Sequence, residues 1–339
     1  MKKSVFILSL FMVLGFTTPK VSFAIDYQVI DLGSWQPFAI NESGQIVGSK
    51  ADKGVLWDNG SMATLSNPLG QLALDINNSG QVVGQSDSQP YIWDRTNGMQ
   101  LLQNVNGAAH KINDSGEIVG WINTNNTIQN VLWSNGNSIN LGVASSSGAT
   151  GVYDFGINNQ GQAVFPQYTD GKQQAILWDN GATSKLSDFI PTGINENGQI
   201  IGRIGWDFSV LYNMGSITYL GIAGSQTVAT GINNLGQVVG YDSVSSNRAF
   251  IWQNSQLTDL NDLFSQFSDT WYFEKAYDIN DDGEIIGTGT YFDKENNQRT
   301  CRAFLLTTKQ YNQVPEPTTI LLLVLGLIGL GGGRRKFKN

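Results

Sequence analysis

An all-β fold, a seven-bladed β-propeller of four-stranded blades, is what this sequence predicts, and three observations predict it. A motif of the form Ile-Asn-x-x-Gly-Gln/Glu-x-Val/Ile-Gly begins at Ile40, Ile76, Ile112, Ile157, Ile194, Ile232 and Ile279, in steps of 36 to 47 residues, the length of one propeller blade. A short apolar run closed by an aromatic residue follows each of the first six copies, as in Val55-Leu56-Trp57 and Phe250-Ile251-Trp252. The last unit lacks a fourth strand, and the body opens on an orphan strand, residues 27–33, that resembles one.

Each element of the unit has a local reason. In Asn41-Glu42-Ser43-Gly44 the Asn starts a type I turn, where its side chain reaches the backbone two residues on. Gly44 takes the left-handed position that closes a three-residue hairpin with a bulge. Gln45-Ile46-Val47 is the returning strand, and the final Gly48 allows a bend or a close backbone approach. Only the fourth copy departs there, with Phe165. The apolar run is the third strand, and a short fourth, such as residues 216–220, follows a turn. The recurrent Trp57, Trp93, Trp133, Trp178 and Trp252 are expected to pack between blades. Placing the N-terminal strand in the seventh unit completes it and closes the ring, which leaves only short, protected sheet edges. An open β-solenoid is the competing architecture; it needs capping units and has no use for half a unit at the N-terminus.

Both ends read as addresses. Residues 1–24 carry two early lysines, an apolar run from Val5 to Phe16, and Ser22 and Ala24 at the −3 and −1 positions of a small-x-small site, the pattern of a secretory signal peptide. Residues 25–310 are the propeller domain, and 314–339 form a membrane segment. Its apolar stretch of 14 residues, 320–333, is short against a full span of about 20. The basic cluster after it orients the body to the outer side. Val314-Pro315-Glu316-Pro317, then that helix, then Arg334-Arg335-Lys336, resembles a PEP-CTERM sorting domain. The resemblance implies that an exosortase, a membrane cysteine protease, reads Pro315, Glu316 and Pro317. It also implies that Arg334 and Arg335 complete the signal. The short transmembrane helix would hold the chain at the inner membrane until it is sorted to the cell envelope, the outer surface or the exterior.

The repeats in turn resemble the HAF family of probable extracellular repeats. The likeness is clearest in Asp259-Leu260-Asn261-Asp262-Leu263, then Trp271, then Asp278-Ile279-Asn280-Asp281-Asp282-Gly283, then Ala303-Phe304-Leu305-Leu306-Thr307. It implies export and architecture rather than an activity.

Charge and composition narrow the chemistry. With the seven basic residues and one acid of the two ends set aside, residues 25–310 hold 13 bases against 27 acids. A body so acidic offers no basic face to nucleic acid. One Cys, Cys301, excludes an internal disulfide. One His, His110, leaves no sequence pattern for a nucleophilic triad. His110 stands two positions before its repeat Ile, where other copies have Phe38, Leu74 or Thr192, so it reads as a tolerated structural residue. Cys301 lies between arginines that could lower its pKa, but no His stands near it in sequence, and it reads as incidental. Asp278-x-Asn280-x-Asp282-Gly283 matches the opening of a Ca²⁺ loop. The same residues are what the turn itself wants, and Gly289 stands where a loop would supply Glu. Asp278, Asn280 and Asp282 are therefore the metal candidates and Ca²⁺ the one cofactor candidate. The aromatics outside the repeat, Trp121, Trp206, Trp271 and Tyr272, are the ligand-binding candidates, because loops on a rigid ring are where propellers bind; Trp271 also belongs to the HAF-like pattern, and a packing role stands beside the ligand role for it.

These readings converge on a non-catalytic binding or scaffold protein of the envelope or matrix, with exopolysaccharide or another envelope protein as partner. Two alternatives stand beside it. A polysaccharide hydrolase or lyase would bring two acids together in the channel. A purely structural matrix component would need no ligand.

Overall fold

The computed structural model describes residues 27–309, apart from 66–70, 146–153, 170–171, 206–207, 222–225 and 244–246. The expected signal peptide, the sorting residues Pro315, Glu316, Pro317, Arg334 and Arg335, the short apolar helix and Trp206 lie outside the described residues. Among the described residues no helix is long and apolar enough to cross a membrane.

Seven antiparallel sheets of four strands stand around a channel. In blade 1 the strands are Gln36–Ile40, Ile46–Lys50, Lys53–Asp58 and Ser61–Thr64, from channel to rim. The meander repeats over residues 71–101, 107–145, 156–187, 190–219 and 227–259 as blades 2 to 6. Blade 7 takes Trp271–Ile279, Ile285–Asp293 and Gln298–Thr307 from the end of the chain and Gln28–Gly33 from its beginning. Gln28 sits opposite Thr307 and Ile30 opposite Leu305. The ring is closed by the N-terminal strand, as the two complementary fragments predict.

Each sheet is sandwiched between two others, so both faces of the middle of its inner strands are buried. That is why the third strands are continuous apolar runs rather than alternating ones. Successive side chains of a strand point to opposite faces, and the core divides accordingly into seven clusters, one per junction. Trp57 joins Ile30, Leu32, Ile286 and Leu305 between blades 7 and 1, while its neighbour Leu56 joins Ala73 and Val82 between blades 1 and 2. Trp93, Trp133, Trp178 and Trp252 pack in the corresponding junctions. Leu306 holds that position in blade 7, beside Trp271, Phe273 and Phe304. The crossing from blade 6 to blade 7 adds a feature outside the all-β expectation, a one-turn helix at Leu260–Leu263 capped by Asp259, then a 3₁₀ turn at Ser265–Phe267.

The closing glycine of the motif has a specific use. In six blades the inner strand carries an extra residue opposite it, for example between Pro37 and Ala39 or between Ala229 and Gly231. The bulge drives a carbonyl oxygen toward the glycine. A Cβ on Gly240 would lie 2.0 Å from the Val228 carbonyl oxygen and 2.9 Å from the Phe250 ring. Blade 4 pairs only Gly156–Ile157 on its inner strand, without a register shift, and there Phe165 fits, fully buried. Gly240→Ala is expected to destabilise the ring by about 3 kcal/mol or more, because backbone cannot yield as a side chain does. The midpoint of urea unfolding checks this, and a loss under about 1 kcal/mol would contradict it.

Candidate functional site

The repeated turns form a continuous polar network around one end of the channel. At Asn41 the side-chain Oδ1 accepts the backbone N–H groups of Ser43 and Gln45, at 3.1 and 2.9 Å. Gly44 takes a φ of +75°, and its N–H donates to the Asn41 carbonyl. This is the expected turn. The same amide does more: its Nδ2 donates to Gln45 Oε1 and to the carbonyl of Asn77 in the next blade. Asn77, Asn113, Asn158, Asn195 and Asn233 each donate to the following repeat in the same way, and Asn280 donates to Asn41. These seven bonds, 3.0–3.2 Å long, close a ring through buried asparagines.

The residue after each Asn builds a second ring at the channel mouth. Its members are Glu42, Asn78, Asp114, Asn159, Glu196, Asn234 and Asp281. Each backbone N–H donates to the side-chain oxygen of the next member at 2.7–3.0 Å, and Asp281 closes onto Glu42. Burial, together with Asp281, Asp282 and Asp278, pushes the Glu42 carboxyl up to about 7, against the pull of the Asp281 N–H.

Beneath the mouth the channel encloses roughly 230 Å³. Asp75 and Asp278 flank Lys111 there. Asp75 accepts the N–H of Ile112 at 2.8 Å and pairs with Lys111 at 3.2 Å. Asp278 accepts the N–H of Ile40 at 3.1 Å. Burial pushes the Asp278 carboxyl up to about 6; Lys111 and the Ile40 N–H oppose the rise, and Asp75 adds to it. Burial lowers Lys111, but Asp75 and Asp278 more than reverse this and raise it. So acids do converge in the channel, around one lysine.

A carboxyl raised by folding holds its proton more tightly in the ring than in the open chain. Its stabilising contribution is complete below about pH 4 and is lost as pH rises through about 6. Melting temperature is therefore expected to fall between those values. Asp278→Asn keeps an acceptor for Ile40 and is expected to flatten that fall, with a gain of about 1–2 kcal/mol at pH 8. Parallel melting curves for the two proteins would refute this.

The Ca²⁺ candidates are not brought to one focus. Asp278 points into the channel. Asn280 Oδ1 accepts from Glu284 N–H, and its Nδ2 donates to Asn41 and Glu284. Asp282 pairs with Lys309 at 2.7 Å. Among the described residues no three acids, His or Cys are grouped to hold a metal. His110 is buried in the bulge position and stacks on Phe155, and burial and Lys111 drop its pKa to about 3. At Cys301 burial and then Glu274 push the thiol up, and no lowering by the flanking arginines offsets this. Trp271 is buried against Phe273, Tyr291 and Phe304, and Trp121 packs against the core between blades 3 and 4. Tyr272 is the most exposed of the described aromatic candidates, at 37%.

Solved structures share the fold. YCF48 bound to D1 peptide is 10% identical over 84% of this chain and 95% of its own, with a TM-score of 0.52. The β-propeller domain of the Trilobed protease from Pyrococcus furiosus, described with an open velcro topology, is 10% identical over 82% and 99%, TM-score 0.53. A puromycin-hydrolyzing peptidase of Mycobacterium tuberculosis is 10% identical with a TM-score of 0.54, and this chain spans about half of its length. No curated protein matches the chain in sequence. Residues 313–336 match the PEP-CTERM protein-sorting motif. That motif implies processing by an exosortase, and the chain is thus a seven-bladed β-propeller with the sorting tail of an exported, surface-sorted protein.

Proposed function

We propose that the ring is a non-catalytic scaffold displayed at the cell surface, where it binds exopolysaccharide. The observation that carries this reading is the use of the repeat. Its Asn, its acceptor-bearing neighbour and its Gln or Glu are occupied in holding the turns and the ring together, and the tail supplies an address. Activity then belongs to what is not repeated, and a rigid ring at the surface is suited to presenting it. The likeness of the repeats to the HAF extracellular repeats supports the same placement. A competing reading, a polysaccharide hydrolase or lyase, takes support from the raised carboxyls of Glu42 and Asp278 in the channel. One experiment separates them: the full chain is incubated with exopolysaccharide from the source cell, and both retention and released reducing ends are measured. Retention without new reducing ends is expected. Reducing-end release lost in Asp278→Asn would replace the scaffold reading with the enzyme, and absence of retention would end it.

A further inference from the structure

Blade 7 is longer than its neighbours. Its three C-terminal strands run 9, 9 and 10 residues, against 5, 5 and 6 in blade 1, which it adjoins. The surplus projects at the end where Trp271 begins and Asp293 finishes. One face of this overhang packs Trp271 and Tyr291 inward. The other face has no blade to cover it. On it the register places Tyr272 opposite Thr290, and Phe292 opposite Arg299. Together with Asp269, at the end of the crossing from blade 6, and Glu274, these residues line a hollow of roughly 350 Å³, within the range of a small-ligand site.

We propose that this overhang is a saccharide-binding shelf for a neutral oligosaccharide, which locates the site of the surface scaffold proposed above and rests on that reading. A sugar ring has an apolar face of C–H groups and an edge of hydroxyls. Tyr272 offers a half-exposed aromatic surface for the first. Arg299, its guanidinium over the Phe292 ring at 5.9 Å, offers a planar set of donors for the second. Glu274, held by a 2.6 Å bond from the Thr290 hydroxyl, and Asp269 offer acceptors. Charge selects against other ligands: the lining carries one acid, Glu274, against one base, Arg299, and Asp269 pairs with Lys294 at 3.1 Å, so these formal charges balance and favour neither a polyuronate nor a basic peptide.

Position agrees with access. The first and last described residues meet at the opposite face, where Gln28 lies across from Thr307 and Lys309 pairs with Asp282 and Glu284 beside the seventh Asn turn. Residue 309, the last described before the sorting motif, therefore lies at the end of blade 7 away from the shelf.

The test is isothermal titration of the full chain with neutral hexaoses of glucose, mannose and galactose, and with a hexauronate. At least one neutral hexaose is expected to bind. Tyr272→Ala is expected to weaken it at least about tenfold, as loss of an aromatic anchor does, with Tyr272→Phe within about twofold of the parent. Tyr219→Ala, an exposed tyrosine on the rim of blade 5, is expected to change nothing, and equal melting temperatures exclude misfolding. Neutral-sugar binding that survives Tyr272→Ala overturns the shelf and leaves the scaffold standing. Binding of the hexauronate alone, or of no hexaose, also overturns the shelf. Failure of the scaffold reading is seen separately, as loss of retention on whole exopolysaccharide.

Discussion

Replacing Asn195 with Ala is expected to destabilise the propeller by about 3–5 kcal/mol, a large share of a domain's net stability. The side chain is buried and makes four bonds. Its Oδ1 accepts from Asn197 and Gln199 N–H at 3.1 and 2.9 Å, and its Nδ2 donates to Gln199 Oε1 at 2.8 Å and to the Asn233 carbonyl at 3.0 Å. Alanine leaves three partners in or beside the asparagine ring without it, and each stranded buried polar group costs about 1–3 kcal/mol. Asn195→Asp separates the two halves of the interaction. It retains both acceptances but sets a carboxylate against the Asn233 carbonyl and Gln199 Oε1. It is therefore expected to be at least as damaging as alanine at pH 7 and milder at acidic pH, where the carboxyl can donate. Denaturant midpoints at two pH values check both. A loss below about 1 kcal/mol for alanine would mean that the ring of amides is incidental to stability.

A chain lacking residues 27–33 is expected to fail as a monomeric ring. Ile30 and Leu32 fill the junction of blades 7 and 1 with Trp57 and Leu305, and the strand covers the edge Ala303–Thr307. Its loss uncovers an apolar edge, a template for pairing with another chain. The milder double replacement Ile30→Ala and Leu32→Ala is expected to cost about 4 kcal/mol or more. Size-exclusion profiles and melting curves report the outcome. A synthetic peptide of residues 26–34 added in trans is expected to restore a cooperative transition, whereas an unchanged monomeric melt in the truncated protein would contradict closure by this strand.

Much of this was legible in the sequence because it is local or periodic. Asn41 and Gly44 announce their turn within four residues. The tryptophans recur at the third strand, and the missing fourth strand of unit 7 matches the orphan strand at residues 27–33. The remainder needed contacts between repeats. The donation from each Asn amide to the next Asn carbonyl spans 36 to 47 positions, or 239 at the seam. The acceptor side chain after every Asn stands plainly in all seven copies, but its partner is a backbone N–H one blade away. The use of Gly240 depends on a bulge in the preceding strand, which no residue type marks. Trp271 is a loop aromatic by position. It turns inward because the helix at Leu260–Leu263 and its Asn261, which accepts from and donates to the Phe273 backbone, draw that strand end into the core. Asp278, Asn280 and Asp282 have the spacing of a cation loop, yet the channel, the ring and Lys309 take one each.

The second ring alternates acid and amide: Glu42, Asn78, Asp114, Asn159, Glu196, Asn234, Asp281. Seven is odd, so strict alternation around a closed circle is impossible and one like pair must remain. It falls between Asp281 and Glu42, beside the blade that the N-terminal strand completes. Six junctions therefore set an amide beside a carboxylate. At five of the seven positions a blade that skipped its neighbour and docked on the next would instead bring acid to acid or amide to amide; the two skips across the seam, Asn234 to Glu42 and Asp281 to Asn78, would not. In a chain of repeated units, whose characteristic error is pairing out of turn, this alternation separates a blade's neighbour from the next blade but one everywhere except across the seam, and it leaves the single like pair where the circle begins and ends.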